Sequence, residues 1–370
     1  MPSAEDGQSV DTEISDETVA EMVRHLRPAW DPVGIDRVPE GVNSTVVLDV
    51  ETPDKERTVV LKTSTSTHPL AADRARAEPR LLRLLARETA VPVPTVFGAC
   101  DDHETYPAPY FLMEYVDGKL IEQDQAPTLP FSIRETVFRE AGRNLAALHS
   151  LGPFEAVGDL VGRNGRISVL DTAESPSYDA FHEWLLDSYE ETLDQLLEDG
   201  GYFPELTENP NRFDDLVPEI RTYLRQTVPK LSAPEPPTYC HKDYRYGNLV
   251  IDPSTGETRA VLDWANLMSA PPEFNLAIAE SKLLKPDLNT DADASAGDAG
   301  ELRRALWDGY ASAREEYTFD EGTRARLRVY RLAYRLDSMA CLPFFYRSDP
   351  TLTDRAARAA EHRAFVEQYL

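Results

Sequence analysis

Lysine is scarce in this chain. Seven lysines occur among 370 residues, at positions 55, 62, 119, 230, 242, 282 and 285, and 38 basic residues in all stand against 65 acidic ones, for a net charge of −27. The acidic residues are spread along the whole chain rather than gathered in one tail. Binding a phosphate backbone needs a basic patch, so a nucleic-acid partner is disfavoured. A surface this acidic keeps a protein soluble through self-repulsion, a lever used by halophiles. The expectation is adaptation to a salty, haloarchaeal type of cytoplasm. Cysteine is sparse as well: Cys100, Cys240 and Cys341 are odd in number and far apart, which excludes a disulfide framework or a cysteine metal cluster and fits a reducing compartment. Cys240, beside His241, reads as a buried strand residue rather than a nucleophile. No apolar run approaches the ~18–20 residues of a membrane span. The N-terminal MPSAEDGQSVDTEISDE has neither the basic nor the apolar region of a secretion signal. A soluble, cytoplasmic protein with no membrane partner is expected.

The length points to two lobes. Residues 1–13 read as a disordered tail, followed by a helix to about Leu26 capped by Ser15 or Asp16. A β-rich stretch follows, with strands near 33–38, 45–51 and 57–63 separated by the turn-like EGVNS and TPDKE. A helix is expected from about Leu70 to Arg87, kinked by Pro79 unless that proline sits in a first turn. The segments 91–100 and 109–118 read as two more strands. After Gly118 helical patterns dominate, at about 131–150, 178–199, 213–228, 273–285, 301–317, 322–342 and 351–369. The clear strands in this half are 248–251 and 259–263, and 286–300 reads as a surface loop or linker. Residues 14–116 are thus a small β-rich N-lobe and 117–370 a larger helical C-lobe.

The helical half carries the chemistry. His241-x-Asp243 is followed five residues after the aspartate by Asn248, and fifteen further on by Asp263 in VLDWANL. Phosphoryl transfer needs positioned phosphates, metal ions to spread charge, and a carboxylate aligned with the attacking hydroxyl. Asp243 suits the last task. The amide oxygen of Asn248 and the carboxylate of Asp263 are hard ligands of the kind Mg²⁺ accepts. His241 is better suited to orienting the loop than to titrating.

The segment HKDYRYGNLVID…VLDW resembles the H-x-D-x-x-x-x-N and following aspartate motifs of the aminoglycoside phosphotransferase family, which includes choline and homoserine kinases. The resemblance covers about residues 33 to 342. It implies an α+β, bilobal protein-kinase-like fold with a small antiparallel N-lobe and a larger helical C-lobe, ATP between the lobes and the acceptor on the C-lobe. It further implies Asp243 as catalytic base and Asn248 and Asp263 as Mg²⁺ ligands.

Upstream residues support the match. Lys62, on the apolar strand VVLKT, is placed to grip the α- and β-phosphates. Glu78 is its candidate ion-pair partner, with Asp73 and Glu88 as alternatives. Asn43 and Ser44, in EGVNST, fall where the family has a phosphate-covering turn, though a G-x-G-x-x-G loop is lacking. The segment FLMEYVDG resembles the family's connector between lobes, which implies backbone contacts to adenine from Glu114 and Val116, with Met113 lining the base pocket. Two departures stand out: Lys242 replaces the small residue often found between His and Asp, and Asn275 replaces the second aspartate of a G-D-P-x-x-D-L-A pattern. Arg245 can hold a phosphate or an anionic substrate, or pair with a nearby carboxylate. The acidic residues of the aromatic 178–191 helix, Asp187, Glu190 and Glu191, read as solvated.

The function expected is transfer of the γ-phosphate of ATP to a hydroxyl of a small molecule such as a sugar, an amino alcohol or an aminoglycoside-like acceptor. The rival is a nucleotide-binding regulatory pseudokinase, against which Lys62, Asp243, Asn248 and Asp263 are all present. A protein kinase is disfavoured because neither D-F-G nor an A-P-E-like segment accompanies Asp263.

Overall fold

Alternation along one strand organises the first half of the chain. In the strand ERTVVLKTS (β3, Glu56–Ser64), Val59 and Leu61 point to one face and Val60 and Lys62 to the other. In the computed structural model, which describes residues 14–38, 43–64, 69–122, 125–198, 200–206, 209–284, 297–315, 317–348 and 355–370, β3 is the middle strand of a five-stranded antiparallel sheet. Its order is β1 (Asp31–Val38), β2 (Asn43–Glu51), β3, β5 (Tyr110–Glu114) and β4 (Val96–Cys100). Helix α1 (Asp16–Leu26) starts at Ser15, whose Oγ accepts the Thr18 N–H at 3.2 Å. It lays Val19, Met22 and Val23 over Val59, Leu61 and Leu112. Helix α2 (Ala71–Glu88) packs Leu81, Leu82 and Leu85 with Phe111, the cross-strand partner of Lys62. This second face is the one that looks toward the C-lobe. Pro79 sits in mid-helix without ending it.

The tail 1–13 and the turn residues 39–42 fall outside the described residues, as does most of the expected loop 286–300. The end of that loop is corrected, because α7 (Gly297–Ala313) already begins there. Segment 91–100 is a strand only from Val96, where it pairs with β5, the prolines at 92 and 94 removing two ladder donors before it.

The C-lobe holds more strands than its helical patterns suggest. β6 (Lys119–Leu120) pairs with β10 (Leu249–Ile251), which pairs with β11 (Thr258–Val261). A four-stranded sheet runs β8 (Arg166–Val169), β7 (Gly158–Arg163), β12 (Leu267–Ala270), β9 (Thr238–His241). These strands are two to six residues long, too short for alternation to declare itself in sequence. Cys240 lies in β9, fully buried. The helices are α3 (Phe131–His149), α4 (Phe181–Glu198), α5 (Val217–Thr227), α6 (Pro272–Leu284), α7, α8 (Glu321–Ala340), α9 (Leu342–Ser348) and α10 (Arg355–Val366). The segment read as one helix at 351–369 is thus described as helical only over Arg355–Val366.

Helix α6 is buried on nearly all sides, and its charges are matched. Glu280 accepts from Arg303 Nε at 2.7 Å and Arg331 Nε at 2.8 Å, and Glu273 from Arg326 at 2.7 Å. In α4 the apolar side is inward, with Phe181, Leu185 and Tyr189 buried, while Glu190 pairs with Arg221 and Arg225. Among the described residues, no helix is long and apolar enough to cross a membrane.

The β7–β8 hairpin ties the lobes together. A Cβ on Gly162 would lie 2.5 Å from the main-chain carbon of Arg76, so α2 and β7 meet closely at a residue without a side chain. On either side Arg74 pairs with Asp159 at 3.0 Å and Arg163 with Asp73 at 2.6 Å.

Candidate active site

The edge of β9 and the turn after β11 deliver the motif residues to one place. His241 closes β9, paired with Leu267 of β12. Its imidazole is fully buried and makes two contacts that fix its tautomer. Nε2 donates to the Leu262 carbonyl at 3.2 Å, and Nδ1 accepts the Asp243 N–H at 3.2 Å. Burial lowers its pKa, so the ring is neutral. Asn275 of α6 reinforces the same point: its Oδ1 accepts the His241 N–H at 3.1 Å and its Nδ2 donates to the His241 carbonyl at 2.9 Å. His149 Nε2 donates to the same Oδ1 at 3.1 Å. A neutral amide can serve a donor and an acceptor at once, which a carboxylate cannot.

Asp243 follows, with both oxygens engaged. Lys282 of α6 donates to Oδ1 at 2.6 Å, while Arg245 Nε at 3.1 Å and Asn248 Nδ2 at 2.9 Å donate to Oδ2. Burial pushes the Asp243 carboxyl up, but the charges of Lys282 and Arg245 outweigh it and hold the pKa down at about 2. Asn248 Nδ2 also donates to the Asp243 carbonyl, at 2.8 Å. With both acceptors on the nitrogen, the amide is oriented, and Oδ1 accepts no hydrogen bond from the described residues.

Asp263 sits just past β11 with φ of 58°, a left-handed conformation that aspartate tolerates better than most residues. The turn aims its carboxylate across the cleft at Lys62. Lys62 Nζ lies 2.7 Å from Asp263 Oδ1, and 2.9 and 2.8 Å from the two oxygens of Glu78. Glu78 reaches this point from α2 and also accepts the Trp264 N–H at 3.1 Å. Of the partners weighed for Lys62, Glu78 is the one in contact; Asp73 pairs with Arg76 and Arg163, and Glu88 with Arg87. Burial works against the charge on Lys62, yet the Asp263 and Glu78 carboxylates hold its pKa above the usual lysine range. The Lys62 charge, more than burial opposes it, lowers the Asp263 pKa, while burial keeps that of Glu78 raised.

The remaining expected contacts divide. Glu114 ends β5 with its N–H already given to Thr95 O at 2.9 Å, so that N–H is not open to a ligand. The N–H of Val116 has no partner among the described residues. Asn43 and Ser44 are not turn residues: they open β2, opposite Ser64 and Thr63, because the β2–β3 ladder extends two residues beyond the expected strand.

Sequence reasoning missed two charged groups. Lys282 belongs to no motif, and its approach to Asp243 depends on how α6 packs; it also lies over the Tyr334 ring, 5.6 Å from its centre. Asp159 of β7 explains the lysine that departs from the family pattern, because Lys242 Nζ lies 3.6 Å from Asp159 Oδ1. The available signal was lysine scarcity: of seven lysines, Lys62, Lys242 and Lys282 converge here.

Residues 34–322 match the sequence profile of the phosphotransferase enzyme family. A curated relative, the probable acyl-CoA dehydrogenase IBR3 of Arabidopsis thaliana, is 27% identical over 225 residues, 60% of this chain and 24% of that protein. The acyl-CoA dehydrogenase family member 10 of Mus musculus is 25% identical over 215 residues, 56% of this chain and 17% of that protein. The chain therefore spans about a quarter or less of these relatives. Among solved structures, a putative aminoglycoside phosphotransferase from Ralstonia eutropha aligns with a TM-score of 0.59 at 18% identity, covering 96% of this chain and 98% of that one. Aminoglycoside phosphotransferase APH(4)-Ia, solved as a thermostable mutant with ADP and hygromycin B, aligns at 0.57 and 14% identity, covering 95% and 98%. At these identities the likeness is one of fold.

Proposed function

The chain belongs to the phosphotransferase enzyme family, and on that footing we propose that it transfers the γ-phosphate of ATP, with Mg²⁺, to a hydroxyl group of a small molecule. The observation that carries the reading is the meeting of Lys62, Glu78 and Asp263 within 2.9 Å contacts, beside the linked pair Asp243 and Asn248. Three parts of the chain separated by up to 201 residues supply what phosphoryl transfer needs.

The donor set fits Mg²⁺. Asn248 Oδ1 and the Asp263 carboxylate are hard oxygens, and the amide oxygen is left without a protein partner among the described residues. Two protein oxygens are too few to hold the ion alone, and nucleotide phosphates would complete its shell. When bound, Mg²⁺ supplies neutralisation of the charge that develops on the transferring phosphoryl group.

Lys62, held in place by Glu78, donates to the α- and β-phosphates. The Glu114 carbonyl and the Val116 N–H take the adenine edge beside Met113, and the start of β2 at Asn43 and Ser44 borders the phosphates. Asp243 accepts the hydrogen bond of the acceptor hydroxyl and aims its oxygen. A bond forms from that oxygen to the γ-phosphorus as the bond to the departing diphosphate oxygen breaks, and the hydroxyl proton passes to Asp243. With a pKa near 2 Asp243 is a weak base, so its larger contribution is alignment, with proton transfer late.

The test is ADP release in molar KCl with Mg²⁺ and ATP, across sugars, amino alcohols, hydroxy acids and aminoglycosides. At least one acceptor should stimulate turnover and yield a phosphorylated product, and Asp243→Asn should abolish it while nucleotide binding persists. Turnover that ignores every acceptor and survives Asp243→Asn sinks the reading. Nucleotide binding without any phosphorylated product would favour the regulatory pseudokinase instead.

A further inference from the structure

Charge is divided unevenly across this cleft. On the nucleotide side, one lysine, Lys62, stands between two carboxylates, Glu78 and Asp263. Around Asp243 the ratio is reversed, with Lys282 at 2.6 Å and Arg245 at 3.1 Å on one carboxylate. In a chain with 65 acidic residues and seven lysines, that reversal is a local exception to the overall charge.

The two cations are held differently. Lys282 is mostly buried, its side chain 21% exposed, with its ammonium between Asp243 and the Tyr334 ring. Arg245 is anchored by Nε alone and has a side chain 37% exposed. Its two terminal nitrogens donate to no described residue, and its guanidinium lies against Gly247, where any Cβ would collide with Nη1. An arginine fixed by Nε with both outer NH₂ groups open presents the fork that matches a carboxylate or phosphate. Lys242 is paired with Asp159 and is not counted among the cations on Asp243.

We propose that the phosphate acceptor carries an anionic group, a carboxylate or a phosphate, bound by Arg245 and Lys282 beside Asp243. The inference rests on the phosphotransfer reading for the word acceptor, while the anion site itself is defined by binding. It sets this chain apart from a site built for polycations. A substrate rich in ammonium groups would meet two fixed positive charges next to the carboxylate that must align its hydroxyl.

Matched probes test it: glycerate against glyceramide, glycerol 3-phosphate against glycerol, with the polycation hygromycin B alongside. Binding is measured by calorimetry with Mg²⁺ and ADP present, and turnover by ADP release. One charged member is expected to bind roughly ten- to hundredfold more tightly than its neutral twin, the range of a charge-assisted hydrogen bond. Which pair shows the preference tells carboxylate from phosphate. Arg245→Gln, which leaves Lys282 in place, should cut the ratio severalfold toward one, whereas Lys282→Arg, which keeps the charge and the partner of Asp243, should retain it. Equal binding of charged and neutral twins, or preference for hygromycin B, overturns the proposal. So does a kcat loss in Arg245→Gln that is equal for both twins with their KM ratio kept, since the cation would then serve the phosphoryl group. Charge-selective binding without turnover would leave the anion site standing and remove the phosphotransfer reading, so the two failures are distinct.

Discussion

Asn275 grips both main-chain polar groups of His241, accepting its N–H at 3.1 Å and donating to its carbonyl at 2.9 Å. All of these atoms are buried, and the contact fixes the strand end from which Asp243 projects. Asn275→Ala strands both groups without water, and the buried His149 Nε2–H with them. Stability should fall by about 1–3 kcal/mol for each stranded group. Asn275→Asp, able to accept but not to donate, should fall between the two. Urea denaturation checks the ranking, and kcat should decline in the same order as the loop loosens.

Lys62→Met removes the charge between Glu78 and Asp263. Breaking a buried pair from one side costs about 3–5 kcal/mol. Glu78 is buried, and burial already raises its pKa, so without Lys62 it should bind a proton well above the usual carboxylate range. A group whose folded pKa is raised stabilises the fold below that pKa and loses the benefit as pH rises. The variant should therefore be destabilised more at pH 8 than at pH 5. Equal losses at both values would show that Glu78 stays ionised without its partner.

Asp243, Asn248 and Asp263 were legible because a strand, a turn and a strand bring them together over 21 positions, with no demand on distant packing. Lys62 was legible from strand alternation, and Glu78 from its place in the following helix. Lys282 and Asp159 were not, since each reaches the site from an element whose placement depends on the C-lobe core: α6 for one and the short strand β7 for the other. The short strands escaped for a related reason. β7, β9 and β12 are stabilised by pairing with one another, and short runs buried throughout, as in β9 and β12, or over most of their length, as in β7, carry no period of their own.

Lys242, Asp159 and Arg74 form a chain of charge from the catalytic loop to α2. Burial raises the Asp159 pKa, but Lys242 and Arg74 more than reverse this and hold it below the usual carboxylate range. Lys242→Ala should cost about 1 kcal/mol, as a partly exposed pair does. Asp159→Asn should cost more, because Arg74 loses its partner too. In a double-mutant cycle the two should couple by about 0.5–1.5 kcal/mol. Additive effects would mean that the 3.6 Å contact contributes nothing.

His149 makes the stability of the fold sensitive to mild acid. It is buried, with Nδ1 accepting from Tyr310 Oη at 2.9 Å and Nε2 donating to Asn275. Burial pulls its pKa down to about 3. The unfolded chain binds a proton on this residue near pH ~6.5, and the folded chain does not. Between those values acidification favours unfolding, with a slope approaching about 1.4 kcal/mol per pH unit for each such histidine. His241 and His362 are shifted downward by burial in the same sense. Carboxylates with lowered pKa values, such as Asp243, lose their contribution only below the ordinary carboxylate range and do not account for a loss that starts near pH 6. Unfolding free energies measured in urea from pH 7.5 to 5 should therefore fall, and His149→Gln should be less stable at pH 7.5 but show a shallower decline. If the variant and the parent lose stability in parallel across that window, His149 is protonated in the folded protein and this account of its burial is wrong.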